Sequence, residues 1–177
     1  MLISPNTEKL PDPVAPLGLA CLASALKAKG IEVQCLDLCF VEDWEETTAQ
    51  AILDFSPSAI GLSLRNVDNV SYPNTISYLP FYKRVMEHLR RLSPASIYLG
   101  ADGGIVGEGE EAFAKLLEKG DPSSGALEGF LIRGTEDFPG PASIADLDSL
   151  PPPDWSSLDL KNYFRRGGMG NLQSKRG

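Results

Sequence analysis

Ala59-Ile60-Gly61-Leu62-Ser63-Leu64 has one hydroxyl among apolar and small residues, and it ends abruptly on Arg65-Asn66. A run this short, set off by Ser56-Pro57, reads as a strand covered on both faces, as in the middle of a parallel sheet. Parallel neighbours need a crossover of about a dozen residues or more, usually helical. Helical patterns do flank the run. Upstream, Trp44, Thr48, Ala51, Ile52 and Phe55 recur at helical spacing. Downstream, Tyr82, Val85, Met86, Leu89 and Leu92 share one face, with Lys83, Glu87, Arg90 and Arg91 elsewhere, and Pro94 lies just beyond.

Further outward the alternation continues. Leu2 to Ser4 and Ile31 to Leu38 read as the first two strands. Between them Pro16 opens a helix, Leu17 to Lys29, that is apolar nearly all round, and Gly30 stops it. On the other side come a strand at Ser96 to Leu99, a fifth centred on Ile105-Val106, and a helix from Glu110 to Lys119 with Phe113, Leu116 and Leu117 facing inward. The fold class is α/β, an open and mainly parallel sheet with helices on both faces. One irregularity stands out. Only Gly100 to Gly104 separate the fourth and fifth strands, too few for a helical crossover, so one helix of the repeat is missing and the Ile105 segment is expected to pair antiparallel or leave the sheet.

Residues 1–120 thus form an α/β domain. Residues 121–177, rich in Gly, Pro and Ser, with one short strand expected at Gly129 to Arg133 and the stiff run Pro151-Pro152-Pro153, read as a linker and arm. The net charge of -8 argues against nucleic acid, whose phosphates call for clustered Lys and Arg. No apolar run reaches the roughly 20 residues that cross a bilayer, and no secretory leader precedes Leu2-Ile3, which points to the cytoplasm and away from membranes. Cys21, Cys35 and Cys39 are read as reduced thiols. Cys35 and Cys39 have the spacing that begins an iron-sulfur motif, but Glu42 stands where the third thiolate belongs.

In open α/β sheets ligands sit outside the carboxyl ends of the strands, so the candidate residues lie in the loops there. They are Pro5 and Asn6 after the first strand, Ser63, Leu64, Arg65 and Asn66 after the third, Gly100 and Ala101 after the fourth, and Gly107, Glu108 and Gly109 before the last helix. The last group, with Ala112, fits G-x-G-x-x-A, a dinucleotide fingerprint. It stands after the wrong strand, and Glu108, Glu110 and Glu111 would repel a pyrophosphate at that helix start. His88, the single histidine, sits mid-helix and reads as structural. No nucleophilic triad, Walker loop or zinc spacing is present, and no catalytic or metal-ligating residue is assigned. On these residues alone the chain is a small-molecule-binding α/β domain.

Taken together, Pro16-Leu17-Gly18-Leu19 with Leu22-Ala23, Gly30 before Val33, Asp37-Leu38, Ile60-Gly61-Leu62-Ser63, Ile105-Val106-Gly107-Glu108-Gly109-Glu110, Leu147 to Pro153 and Lys175-Arg176-Gly177 resemble the cobalamin-binding domain of cobalamin-dependent radical SAM enzymes. The resemblance covers nearly the whole chain. It implies a flavodoxin-like (Rossmann-like) fold with the corrin over the strand ends. Carrier domains that offer cobalt a histidine use D-x-H-x-x-G, whereas Asn6 to Pro16 contain no histidine, so a cobalamin without a protein imidazole is implied, with Arg65 or Asn66 beneath it. In that family the residue after such an Arg-Gly is the first Cys of C-x-x-x-C-x-x-C. The chain is therefore expected to stop short of a radical SAM core that normally shares the chain and holds SAM and the [4Fe-4S] cluster. The family also has a helix between its Gly-Gly and I-V-G-E-G-E, and its loss here removes part of the wall around the nucleotide tail. The expected function is a cobalamin-binding module of a radical SAM, methyltransferase-like enzyme, not catalytic alone. The alternatives are a non-catalytic α/β ligand-binding or interaction domain that has lost its cofactor, and a nucleotide-cofactor domain binding NAD or FMN.

Overall fold

Leu2, Gly61 and Phe113 meet on one face of a parallel sheet, and the layers build outward from that contact. The structure, a computed structural model, describes residues 1–69, 73–100, 109–119, 140–144, 146–168 and 170. Among them run β1 (Leu2–Ser4), α1 (Leu17–Ala28), β2 (Cys35–Asp37), α2 (Trp44–Phe55), β3 (Ala59–Ser63), α3 (Leu79–Leu92), β4 (Ser96–Gly100), α4 (Gly109–Lys119) and the short α5 (Leu160–Arg165). The strands are all parallel, in the order β2-β1-β3-β4.

The two-residue period of the strands decides which helix each side chain meets. Leu2, Cys35 and Tyr98 point to one face, where they pack with Leu19, Ala23 and Leu26 of α1 and Phe113 and Leu116 of α4. Ile3, Leu36, Ile60, Leu62, Ile97 and Leu99 point to the other, against Ile52 of α2 and Val85 and Leu89 of α3. Both faces are covered, as the apolar third strand required. Full burial of each large aliphatic side chain contributes about 1.5–3 kcal/mol.

Glycine is required at one point in this sheet. A Cβ on Gly61 would lie 2.9 Å from Leu2 Cδ2 and 3.3 Å from Phe113 Cζ. Its absence lets α4 settle on the strands with the Phe113 ring edge-on to Tyr98, centroids 5.6 Å apart. Helix ends follow their local chemistry. The Asp43 carboxylate caps α2 by accepting from Glu46 N at 2.9 Å, with Glu45 and Glu46 in the positive first turn. Gly30, at φ +75°, turns the chain out of α1.

Two elements differ in extent from the sequence expectation. The second strand was expected from Ile31 to Leu38, but only Cys35–Asp37 pair, opposite Leu2–Ser4 of β1. Leu2 N donates to Gln34 O at 2.8 Å, and Ile31 and Val33 serve as packing for α1 and α4 instead. Helix α3 begins at Leu79, three residues before Tyr82, since Pro80 sits in the first turn where no amide partner is needed. The link at Gly100 to Gly104 beyond the end of β4, the Ile105-Val106 strand and the Gly129 to Arg133 strand lie outside the described residues.

The described part of the arm packs back on the domain. Asp154 N donates to Ala20 O at 3.0 Å, the Asp154 carboxylate meets Lys27 Nζ at 2.6 Å, and Tyr163 shares a buried cluster with Ala15 and Cys39. No helix among the described residues is long and apolar enough to cross a membrane.

Candidate functional site at the carboxyl ends of the strands

Register places the candidate loops side by side. Ile3 is level with Leu62, and Ser63 with Gly100. Pro5-Asn6, Leu64 to Asn66 and Gly100 therefore leave neighbouring strands at one edge of the sheet. Pro5 and Asn6 are buried, Ser63, Leu64 and Asn66 are half-buried, and Arg65 is exposed. Gly109 opens α4, with Glu110 and Glu111 in its first turn. Ala101, Gly107 and Glu108 lie outside the described residues.

Hydrogen bonds hold the first of these loops in shape. Asn6 Oδ1 accepts from Glu8 N at 3.3 Å, and Glu8 Oε1 accepts from Lys9 N and Leu10 N at 2.9 and 2.8 Å. The loop after β3 is a flap in which Asp68 faces Ser77 in an antiparallel bridge and Tyr78 N donates to Val67 O at 2.9 Å. Two tyrosines fasten it. Tyr82 Oη donates to Asn66 O at 2.8 Å, and Tyr78 Oη donates to the Glu8 carboxylate. The Tyr78 bond is the chief reason that Glu8 is held below its ordinary value. Tyr78 is itself pushed up to about 12, by burial first and Glu8 second, so it remains a donor at neutral pH.

A second polar knot closes the end of β2. Asp37 Oδ1 accepts from Cys39 N at 3.2 Å and Asp37 Oδ2 from Tyr163 Oη at 2.5 Å. Burial pushes the Asp37 carboxyl up, outweighing the donors, Ser4 included, that favour its charged form. Burial, and then the Asp37 charge, keep the Tyr163 phenol protonated.

The sequence reasoning named none of Glu8, Tyr78 and Tyr163, and gave Tyr82 only a place on the apolar face of a helix. It named Asp37 without giving it a role. Their partners lie 70 and 126 residues away for the Glu8–Tyr78 and Asp37–Tyr163 bonds, and a single sequence carries no signal for such pairs. His88 lies in the α2–α3 seam, its ring 5.2 Å from that of Trp44 and its Nε2 3.1 Å from Glu45 O. None of the three cysteines is in a disulfide. Cys35 packs toward α1 and α4, Cys39 with Ala15 and Tyr163 in a separate cluster. An open cavity of about 390 Å³ lies at the opposite, amino ends of the strands, lined by residues such as Leu26, Phe55 and Phe113. Ligands of open α/β sheets bind at the other end.

A doubly covered parallel sheet with its polar loops gathered at the carboxyl edge defines a ligand-binding α/β domain. Residues 3–117 match the family model of the B12 binding domain, and the chain belongs to that family. It is 31% identical over 132 residues to tryptophan 2-C-methyltransferase of Streptomyces laurentii, covering 65% of this chain and 22% of that protein. The structure of TsrM from Kitasatospora setae, a radical S-adenosylmethionine methyltransferase with cobalamin and a [4Fe-4S] cluster bound, matches at TM-score 0.67 and 29% identity over 76% of this chain and 28% of its own. The cobalamin-dependent radical enzyme OxsB, with aqua-cobalamin and S-adenosylmethionine bound, shares the fold at TM-score 0.68 and 18% identity, covering 97% of this chain and 26% of that one. The chain thus spans about a quarter of the length of these relatives. It is a B12-binding domain, homologous to the cobalamin-binding module of cobalamin-dependent radical SAM methyltransferases.

Proposed function

We propose that this chain binds cobalamin across the carboxyl ends of β1 and β3 and serves as the cobalamin module of a cytoplasmic radical SAM methyltransferase. The observation that carries the proposal is the register that sets Asn6 and Ser63 to Asn66 side by side in a chain of the B12-binding family. The groups gathered there are amide, hydroxyl and guanidinium, which suit the amide-bearing rim of a corrin. The described loops contribute no imidazole, and the lone histidine is engaged between α2 and α3. Arg65, exposed at the end of β3, carries a guanidinium that donates hydrogen bonds and has no acceptor lone pair to offer a metal. Its role is to crowd and bias the lower face of the ring. The Tyr82 and Tyr78 bonds hold the flap that carries it. Once bound, cobalamin supplies a carrier for a methyl group. SAM and the [4Fe-4S] cluster are assigned to a radical SAM core on the same polypeptide, as the relatives' lengths support.

The test is titration of the chain with hydroxocobalamin, followed by visible absorption. Arg65→Ala is expected to weaken binding about tenfold, equivalent to about 1.4 kcal/mol, or to change the bound spectrum, while His88→Ala leaves both as in the wild type. A spectrum that responds only to the histidine change would overturn the placement. An unchanged spectrum at every cobalamin concentration would favour a domain that has lost its cofactor.

A further inference from the structure

The arm holds more of the site than a tether needs to. It is anchored to α1 through Asp154, whose carboxylate takes Lys27 Nζ at 2.6 Å. It then runs to the carboxyl edge, where Tyr163, 2% exposed, donates to Asp37 and sets its ring edge against Phe40 with centroids 4.7 Å apart. Beyond α5 the chain turns at Gly167, φ +82°, and brings Gly168 against the loop after β1. A Cβ on Gly168 would lie 2.5 Å from Pro13 O. Phe40 also has a cation over it from each side of the junction, Lys9 of that loop at 5.8 Å and Arg166 of the arm at 4.9 Å.

The loop of residues 5–16, which carries Pro5 and Asn6, is thus held by the flap at Glu8 and by the arm at Pro13 and Ala15. Ordering such a loop only when a ligand arrives subtracts from affinity, whereas a loop held beforehand does not incur that loss. We infer, building on the cobalamin site proposed above, that the arm is a structural wall of that site and that Tyr163 is a positioning residue whose bond to Asp37 couples cobalamin binding to arm docking. Coupling of this kind is reciprocal: what tightens the arm tightens cobalamin by the same factor.

Lys161, Arg165 and Arg166 are exposed on or beside α5, so trypsin reports arm docking independently of cobalamin. In the full chain, Tyr163→Phe is expected to speed cleavage at these residues about fivefold or more and to raise the Kd for hydroxocobalamin by a similar factor, and saturating hydroxocobalamin is expected to slow cleavage of the wild type. The wild-type protection measurement needs no variant, so the inference stays testable if Tyr163→Phe does not fold. Equal cobalamin affinity in a variant whose arm is released would overturn the coupling alone, as would cobalamin binding to the wild type with no change in cleavage. An arm cut no faster in Tyr163→Phe would remove Tyr163 as the lock. A wild type that binds no hydroxocobalamin would instead sink the site itself, and the coupling with it.

Discussion

At the scale of single residues, Gly61 and Asp37 show how much rides on positions that propensity does not flag. Gly61 stands in a run of apolar strand formers, and its lack of a side chain is what admits Phe113 and Leu2 to one spot. Gly61→Val is expected to destabilise the fold by about 1–3 kcal/mol, seen as a lower urea midpoint, because branched atoms must displace two packed side chains. Asp37 is a half-buried acid whose folded-state value lies above the ordinary 3.8. Its proton is therefore bound more tightly in the folded chain, and the stability linked to that proton is full below the ordinary value and lost as pH rises through the raised one. Asp37→Asn cannot titrate. Urea midpoints of the two proteins from pH 3 to 7 should show the wild type losing ground to the variant as pH rises, and parallel curves would contradict the raised value.

Elements were legible where periodicity alone decides them. The apolar stripe from Trp44 to Phe55 fixes α2 through its recurrence every third to fourth residue, and the short, continuously apolar run from Ala59 fixes β3 as a strand covered on both faces. The start of β2 was not legible, since pairing depends on how far its neighbour extends, and β1 is only three residues long. The start of α3 was hidden by Pro80, a breaker inside a helix but well tolerated in its first turn. The candidate loops could be named from topology, because ligands of open α/β sheets sit beyond the strand ends. The bonds that shape those loops, Glu8 to Tyr78 and Asp37 to Tyr163, could not, because nothing local to any of these residues records its partner.

For the molecule as a whole, residues 3–117 account for the B12-binding family, and the described arm packs on α1 and the loop after β1 instead of standing clear of them. The core is shared between two helix layers through one sheet, so the loops at its carboxyl edge rest on a rigid base. The most direct measurement is the stoichiometry of hydroxocobalamin carried by the purified chain through gel filtration, read from its visible absorption. One cobalamin per chain, with a Kd of about 10 µM or tighter by equilibrium titration, is the predicted result. Cobalamin that elutes entirely free of protein at concentrations well above that value would contradict the account.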